Sequence, residues 1–452
     1  MSTQNDKLTP HKLVKELSKY IIGQEAAKKS IAIALRNRWR KRHADEAIRD
    51  EIYPTNILMK GPTGTGKTEI ARRIAQIAQI PFVKVDATQY TEVGYVGKNV
   101  ESMIYTLTDK AMQIVKGEKR EALKQKTKKI VDQIILDILI PPLRNKKGEK
   151  GKEEVLLNEN TRKRFWEKLI NGELEDRNID IHIKEASNIG LIGGGMMDEK
   201  MFFSFKNLIS RLTPTKSKKK KVTVREARKI LTEEQLDKMT DSHHLAEEAI
   251  ARAEMGIIFI DEIDKIVSST RRNSGGPDVS RSGVQRNLLP IVEGTPVATN
   301  IGIVKTDHIL FIAAGAFHNS KPTDLMPELQ GRFPSRVEMQ SLKEEDYYSI
   351  LKEPKTALIE QQKALLAAEK VTLNFTEEAI KTMAKIAFLL NTEKENIGAR
   401  RLRAVMAQVL KEVAFEVPEK IQPNTTVNID KNFVEQRLEK VMQEHDSNHY
   451  VI

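Results

Sequence analysis

Cysteine is absent from the 452 residues. The absence excludes disulfides, thiolate-held zinc, iron–sulfur clusters and a cysteine nucleophile, and it fits a reducing compartment better than a secreted one. Long apolar runs are missing too: no stretch reaches the roughly 18 residues that a membrane-spanning helix needs. The most apolar stretch, Ile134 to Ile140, is interrupted by Asp137 and stopped by Pro141-Pro142, the pattern of a buried helix end. Met1 to Tyr20 lacks the apolar core of a signal peptide, so a soluble, cytoplasmic protein is expected. G-x-S-x-G and H-E-x-x-H are absent as well, which leaves no familiar peptidase signature in the chain. No internal repeat is visible.

Charge is present in excess: 75 Lys+Arg against 63 Asp+Glu leave +12, a balance that suggests nucleic acid or an acidic surface. The excess is uneven. Residues 111–242 hold 30 Lys+Arg and 21 Asp+Glu, hence +9 of the +12. Its densest part, Lys216 to Lys221 beside Arg211, reads as a solvated loop able to attract acidic segments.

The length predicts about three domains. Residues 11–40 have helical apolar spacing with a break at Ile22-Gly23. A short apolar run, Asn56 to Met59, precedes Gly61-Pro62-Thr63-Gly64-Thr65-Gly66-Lys67-Thr68, and helical spacing resumes from Glu69 to Ile80. Further strands are expected at Pro81 to Asp86, Gly256 to Glu262 and His308 to Ala313. Apolar runs without alternation suit a parallel sheet covered on both faces, and with intervening helices they predict an α/β phosphate-loop core.

Lys67 and Asp261 are 194 residues apart, whereas a βαβ unit needs about 30, so an insertion is expected. The predicted organisation is a discontinuous nucleotide-binding domain (1–110 and 243–335), a mainly helical insertion domain (111–242) and a mainly helical C-terminal domain (336–452). In the last, helices are expected at Glu344 to Lys370, Glu377 to Leu390, Ala399 to Phe415 and Lys431 to Gln443, with a short strand at Thr425 to Ile429.

Gly61-x-x-x-x-Gly66-Lys67-Thr68 between a strand and a helix matches a phosphate-binding loop. Its backbone N–H groups curl round phosphates, Lys67 neutralises β/γ-phosphate charge, and Thr68 offers a hydroxyl to Mg²⁺. Asp261-Glu262 ends a buried strand: one carboxylate can hold a magnesium shell and the next can polarise a water, or the pair caps the following helix. Gly94-Tyr95-Val96-Gly97 is either a mobile tip displaying apolar grip or a tight turn with Tyr95 packed inward.

Lys67 to Glu69, Asp261 to Asp264, Pro327 to Pro334 and Gly398-Ala399-Arg400-Arg401-Leu402 together resemble the AAA+ ATPases of the Clp/Hsp100 group. Tyr20 to Gln24, Thr91 to Gly97 and the insertion narrow the resemblance to the unfoldase rings that serve a separate HslV-like peptidase ring. The resemblance implies an AAA+ fold, ATP and Mg²⁺, a cytoplasmic stress-linked chaperone activity, and a homohexamer that threads protein substrates into its partner.

By residue, it implies nucleotide contacts at Ile22 (against the adenine), Gly64, Thr65, Gly66, Lys67, Thr68, Glu69, Asp261 and Glu328, with the metal at Thr68 and Asp261. It also implies catalysis by Lys67, Asp261, Glu262 and an arginine finger, Arg332, that reaches the neighbouring subunit's nucleotide. Arg400 matches the sensor arginine, with Arg401 a one-residue alternative. Gly94, Tyr95, Val96 and Gly97 become the substrate-pulling pore loop, and Tyr450, Val451 and Ile452 the tail that docks into the peptidase. No polar first sensor is assigned, because Ile312 to Ala316 is apolar until His318 and Asn319. A DNA-directed motor is the rival reading of the basic charge, but no basic recognition helix is evident near the C-terminus.

Overall fold

In a computed structural model of the chain, the described residues are 8–49, 51–53, 55–91, 98–143, 149–184, 217–239, 242–267, 278–393 and 396–448. The chain divides into two compact units: Met1–Ala111 with Ile250–Thr299 and Ile303–Ile452, and Met112–Ala249 with Asn300–Gly302.

The first unit is built on a five-stranded parallel sheet. Its strands are β1 (Ile57–Lys60), β2 (Phe82–Asp86), β3 (Ile257–Asp261), β4 (Leu310–Gly315) and β5 (Ser335–Glu338), in the order β2-β3-β4-β1-β5. The central strands are apolar up to their last residues, Lys60 in β1 and Asp261 in β3, because both faces are covered. Ile57, Met59, Ile257, Phe259, Leu310, Ile312 and Ala314 join one core with Leu13, Leu17, Ile31, Ile70 and Ile74. The alternate residues Leu58, Ile258, Ile260, Phe311 and Ala313 are buried too, on the opposite face by the strand's period of two.

The expected break at Ile22-Gly23 separates helices Pro10–Ser18 and Glu25–Arg42. Helix Lys67–Ala78 follows β1 and buries Ile70, Ala71, Ile74, Ala75 and Ala78, the i, i+3/i+4 stripe. Each buried isoleucine there contributes about 1.5–3 kcal/mol, enough to hold the helix start where the loop needs it.

Beyond the sheet, residues 344–448 form a helical layer with its own core, including Tyr347, Met383, Leu402, Val409 and Leu438. Two expectations change here. The helix predicted over Glu344 to Lys370 is two helices, Glu344–Lys352 and Leu358–Ala367, because Pro354 interrupts it. Residues 335–338, expected to be helical from 336, form the edge strand β5 instead. Ser-Arg-Val-Glu buries only Val337, so it shows no apolar run. A second short strand, Thr372–Phe375, pairs in parallel with Thr426–Ile429.

The second unit is largely helical but contains an antiparallel hairpin, Asn178–Lys184 with Ser217–Thr223. Ile179, Ile181 and Val222 face its core with Val131, Ile135, Leu169 and Leu231. The lysine run read as a loop is therefore strand from Lys218 on. Alternation with buried Val222 lets it pair while Lys219, Lys220 and Lys221 stay exposed. Arg228 bridges Asp132 and Glu175 at the edge of this core. Among the described residues no helix is long and apolar enough to cross a membrane.

Candidate functional site

β1 ends at Lys60, and the chain turns through Gly61 to Gly66 before the helix starts at Lys67. The first turn of that helix leaves N–H groups without intrahelical partners and a positive dipole end, which is what an anionic phosphate needs. Thr65 Oγ1 donates to Pro62 O (2.9 Å), tying the loop to itself. Lys67 Nζ donates to Gly61 O (2.6 Å) and Pro62 O (2.7 Å), so its ammonium is held inside the loop. Burial pushes the Lys67 pKa down; Asp261 and Asp264 oppose the shift and Arg400 adds to it.

β3 pairs with β2 so that Asp261 lies opposite Asp86 at the carboxyl ends of the strands. Thr68 Oγ1 is 3.5 Å from Asp261 Oδ2, so the two expected metal ligands are brought together. A hydroxyl beside a carboxylate is a hard oxygen pair, the donor set that Mg²⁺ takes while its other positions go to phosphates and water. Glu262 follows with φ +55, an uncommon conformation for a residue with a Cβ, and its N–H donates to Asp261 Oδ1 (3.1 Å). Glu262 precedes the short helix Ile263–Ile266, but its exposed side chain makes no capping hydrogen bond and stays free beside Asp261.

Lys84 is part of the cluster although sequence reasoning passed over it: its Nζ is 2.8 Å from Asp261 Oδ2. The signal was a lone charge inside the apolar run Phe82 to Val85. Asp264 also has a defined place. Its Oδ2 accepts from Phe317 N (3.2 Å), fixing the chain just past β4.

The segment 396–400 packs directly on the phosphate loop. Ala399 N donates to Gly64 O (3.1 Å). A Cβ on Gly64 would overlap the Ile397 carbonyl, and a Cβ on Gly398 would lie 2.7 Å from Gly64 O and Thr63 O, so both positions require glycine. Asn391, another residue missed at the sequence level, holds the segment. Its Oδ1 accepts from Ile397 N (2.9 Å) and Gly398 N (2.8 Å), and its Nδ2 donates to Asn396 Oδ1 (2.9 Å). The two adjacent arginines diverge: the charge of Arg400 acts on Lys67, whereas that of Arg401 acts on the buried Tyr347, whose own pKa burial raises to about 12.

Arg332 is elsewhere. It caps the short helix Pro327–Gly331, its carbonyl accepts from Asn56 Nδ2 (3.1 Å), and its guanidinium pairs with Glu293 (2.8 Å). Asn56 precedes β1, and Gly61 follows it five residues later, about 16 Å along an extended chain. Arg332 thus lies at the amino end of β1 and the phosphate loop at its carboxyl end, while the exposed Glu328 stands four residues before Arg332 on the short helix.

Glu69 is engaged by Arg72 and Arg73 on its own helix (2.7 Å each); its partial burial raises the carboxyl pKa, and the two arginines more than offset this to lower it. Ile22 is partly buried in the turn between the first two helices. Gly94, Tyr95, Val96, Gly97, Tyr450, Val451 and Ile452 lie outside the described residues.

Residues 57–136 match the family model of the ATPase family associated with various cellular activities (AAA). Residues 184–336 match the AAA domain (Cdc48 subfamily), and 342–429 match the C-terminal D2-small domain of ClpB protein. The chain is 51% identical to the ATP-dependent protease ATPase subunit HslU of Cytophaga hutchinsonii, with 98% of each chain covered. It is 49% identical to that of Persephonella marina over 98% of this chain and 99% of the relative, and 48% identical to that of Thermotoga maritima over 99% of each. A parallel sheet carrying a phosphate loop, a helical C-terminal layer packed on that loop, and likeness over nearly the whole length place this chain in the HslU family of AAA+ ATPases.

Proposed function

We propose that the chain is the ATP-hydrolysing unfoldase of a two-component protease, working as a homohexameric ring. The observation that carries the nucleotide half is the meeting of Lys67, Thr68 and Asp261 at the carboxyl ends of the strands. ATP lies with its phosphates on the loop Gly64 to Thr68, with Glu69 entering the same helix start and Ile22 against the adenine. Lys67 neutralises phosphate charge, and Lys84 balances Asp261. Thr68 and Asp261 would hold Mg²⁺, which would supply neutralisation of phosphate charge when bound. Glu262 orients the attacking water, and Arg400 reaches the phosphates from the C-terminal domain.

Arg332 and Glu328 act on the nucleotide of the adjacent subunit. Support comes from the position of Arg332 at the amino end of β1, away from the phosphate loop of its own copy, and from a partner that lets go easily. The part-exposed pair with Glu293 is worth only about 0–1 kcal/mol, so exchanging it for a phosphate costs little.

In this assignment 1–110 with 243–335 is the large AAA+ domain, 336–452 the small one and 111–242 an inserted appendage. Hydrolysis shifts large and small domains as rigid bodies. Tyr95 and Val96, between Gly94 and Gly97, grip polypeptide in the pore, and Tyr450 to Ile452 dock into an HslV-like peptidase ring. The ring is placed in the cytoplasm. The test is co-purification and turnover: the chain should bring down a peptidase ring in ATP, release it without nucleotide, and degrade a folded protein only with ATP. Failure to bind any peptidase, or degradation without hydrolysis, would contradict the reading.

A further inference from the structure

Gln24, the last residue of the Tyr20 to Gln24 motif, has no role in the nucleotide site described above, yet it is 7% exposed and adopts φ +57. A non-glycine residue in the left-handed region, with a buried amide, persists only where the surroundings fix it. What fixes it is the backbone of Gln340. Gln24 Nε2 donates to Gln340 O (2.8 Å), and Gln340 N donates to Gln24 Oε1 (3.1 Å). This reciprocal pair is what a neighbouring strand would make, built here by one side chain. Only a primary amide of this reach both gives and accepts along one backbone unit.

Its place matters more than its strength. Met339 is the last residue tied to the sheet, its N–H donating to Lys60 O (2.7 Å), and it packs so closely on Gly61 of the phosphate loop that a Cβ there would lie 2.7 Å from its own. Gln340 comes next, followed by Ser341 and Leu342. Lys343 N then donates to Asp346 Oδ2 (2.8 Å) to open the first helix of the C-terminal layer. The connection between sheet and helical layer is therefore gripped from two sides: by the phosphate loop at Met339 and by Gln24 at Gln340. The same turn engages the helical layer again, where Lys355 N donates to Lys19 O (3.0 Å) and Arg73, stacked on Tyr20 at 4.6 Å, donates to Thr356 Oγ1 (3.1 Å).

We propose that Gln24 is a positioning residue for the hinge: its amide sets the direction in which the chain leaves the sheet at Gln340, and so couples ATP turnover to movement of the C-terminal domain. The inference rests on the unfoldase reading. Loss of the pair frees the hinge from the turn without touching the groups on the phosphates.

The test uses the full-length protein with its peptidase and a folded fluorescent protein as substrate. Gln24→Met keeps the side chain's volume and loses both hydrogen bonds; Gln24→Glu keeps the bond from Gln340 N and sets a carboxylate against its carbonyl. ATP turnover by Gln24→Met should stay within about twofold of the parent, while protein unfolded per ATP falls about tenfold, with Gln24→Glu between parent and Gln24→Met. Hydrogen exchange at the Gln340 amide should accelerate in Gln24→Met, a readout independent of the peptidase. Unchanged unfolding per ATP in Gln24→Met, or ATPase and unfolding falling together, overturns the proposal. A parent protein that hydrolyses ATP and never unfolds the substrate overturns the unfoldase reading itself, a result that the parent alone reveals.

Discussion

At the carboxyl ends of the central strands, Lys67, Thr68, Lys84 and Asp261 converge within one chain, with Gly398 and Ala399 laid on the same loop. At the amino ends, Arg332 is paired with Glu293 beside Asn56, at the far end of β1 from Gly61. One edge is built by close backbone contact and leaves little freedom. The other holds the guanidinium of its arginine by a part-exposed ion pair. The difference teaches how unequally the two ends hold their charged groups. On the proposed reading, in which Arg332 acts on a neighbouring copy's nucleotide, a complete site would need two copies in head-to-tail contact, the geometry that closes into a ring.

The largest expected effects come from breaking one edge at a time. Arg332→Ala should lower ATP turnover about 10³–10⁵-fold. Steady-state hydrolysis at saturating ATP checks it, and near-normal turnover would make Arg332 a surface arginine. Glu262→Gln should lower turnover about 10²–10⁴-fold while nucleotide binding persists, measured by hydrolysis alongside titration of a fluorescent nucleotide.

A smaller loss is expected at the clasp. Gly398→Ala combines φ +57 with a Cβ 2.7 Å from Gly64 O, and should weaken nucleotide affinity about 5–30-fold. If affinity were unchanged, the C-terminal layer would not bear on the phosphate loop in solution.

The pH dependence sharpens the contrast between edges. Burial lowers the Lys67 pKa, and phosphate binding needs its charged form, so affinity should fall as pH rises, starting below the 10.5 of an ordinary lysine. Titrations of nucleotide binding across alkaline pH check it, and an affinity that stays flat up to the ordinary lysine range would contradict it.

The smallest effect belongs to the inserted unit. Replacing Lys219, Lys220 and Lys221 together by glutamine should raise KM for substrates bearing acidic segments a few-fold at low salt, with the difference fading at high salt and ATPase unchanged.

What could be read in advance follows the same division. The phosphate loop, Asp261-Glu262 and the central strands are legible because buried parallel strands are apolar without interruption and phosphate binding needs glycines at fixed spacing. β5 is not, because Ser335–Glu338 is an edge strand with one buried side chain. The hairpin holding Lys219 to Lys221 hides behind its charge, and only Val222 and the isoleucines opposite betray the alternation. Asn391 and Gln24 act on backbone groups far away in sequence, and pairing of that kind leaves no periodicity. Arg400 and Arg401 are indistinguishable as letters. Only the fold separates them: the charge of Arg400 acts on Lys67 and that of Arg401 on Tyr347.

Mixing subunits tests the two-copy site most directly. Equal amounts of Glu262→Gln and Arg332→Ala protein, each nearly inactive alone, are assembled together and their ATP hydrolysis is measured. With the arginine acting across the interface, about a quarter of the sites in randomly mixed rings pair an intact Glu262 with an intact Arg332, and turnover should recover to about that fraction of the parent. Mixed rings that form and remain as inactive as either variant alone would contradict the account, because every site would then draw both residues from one chain.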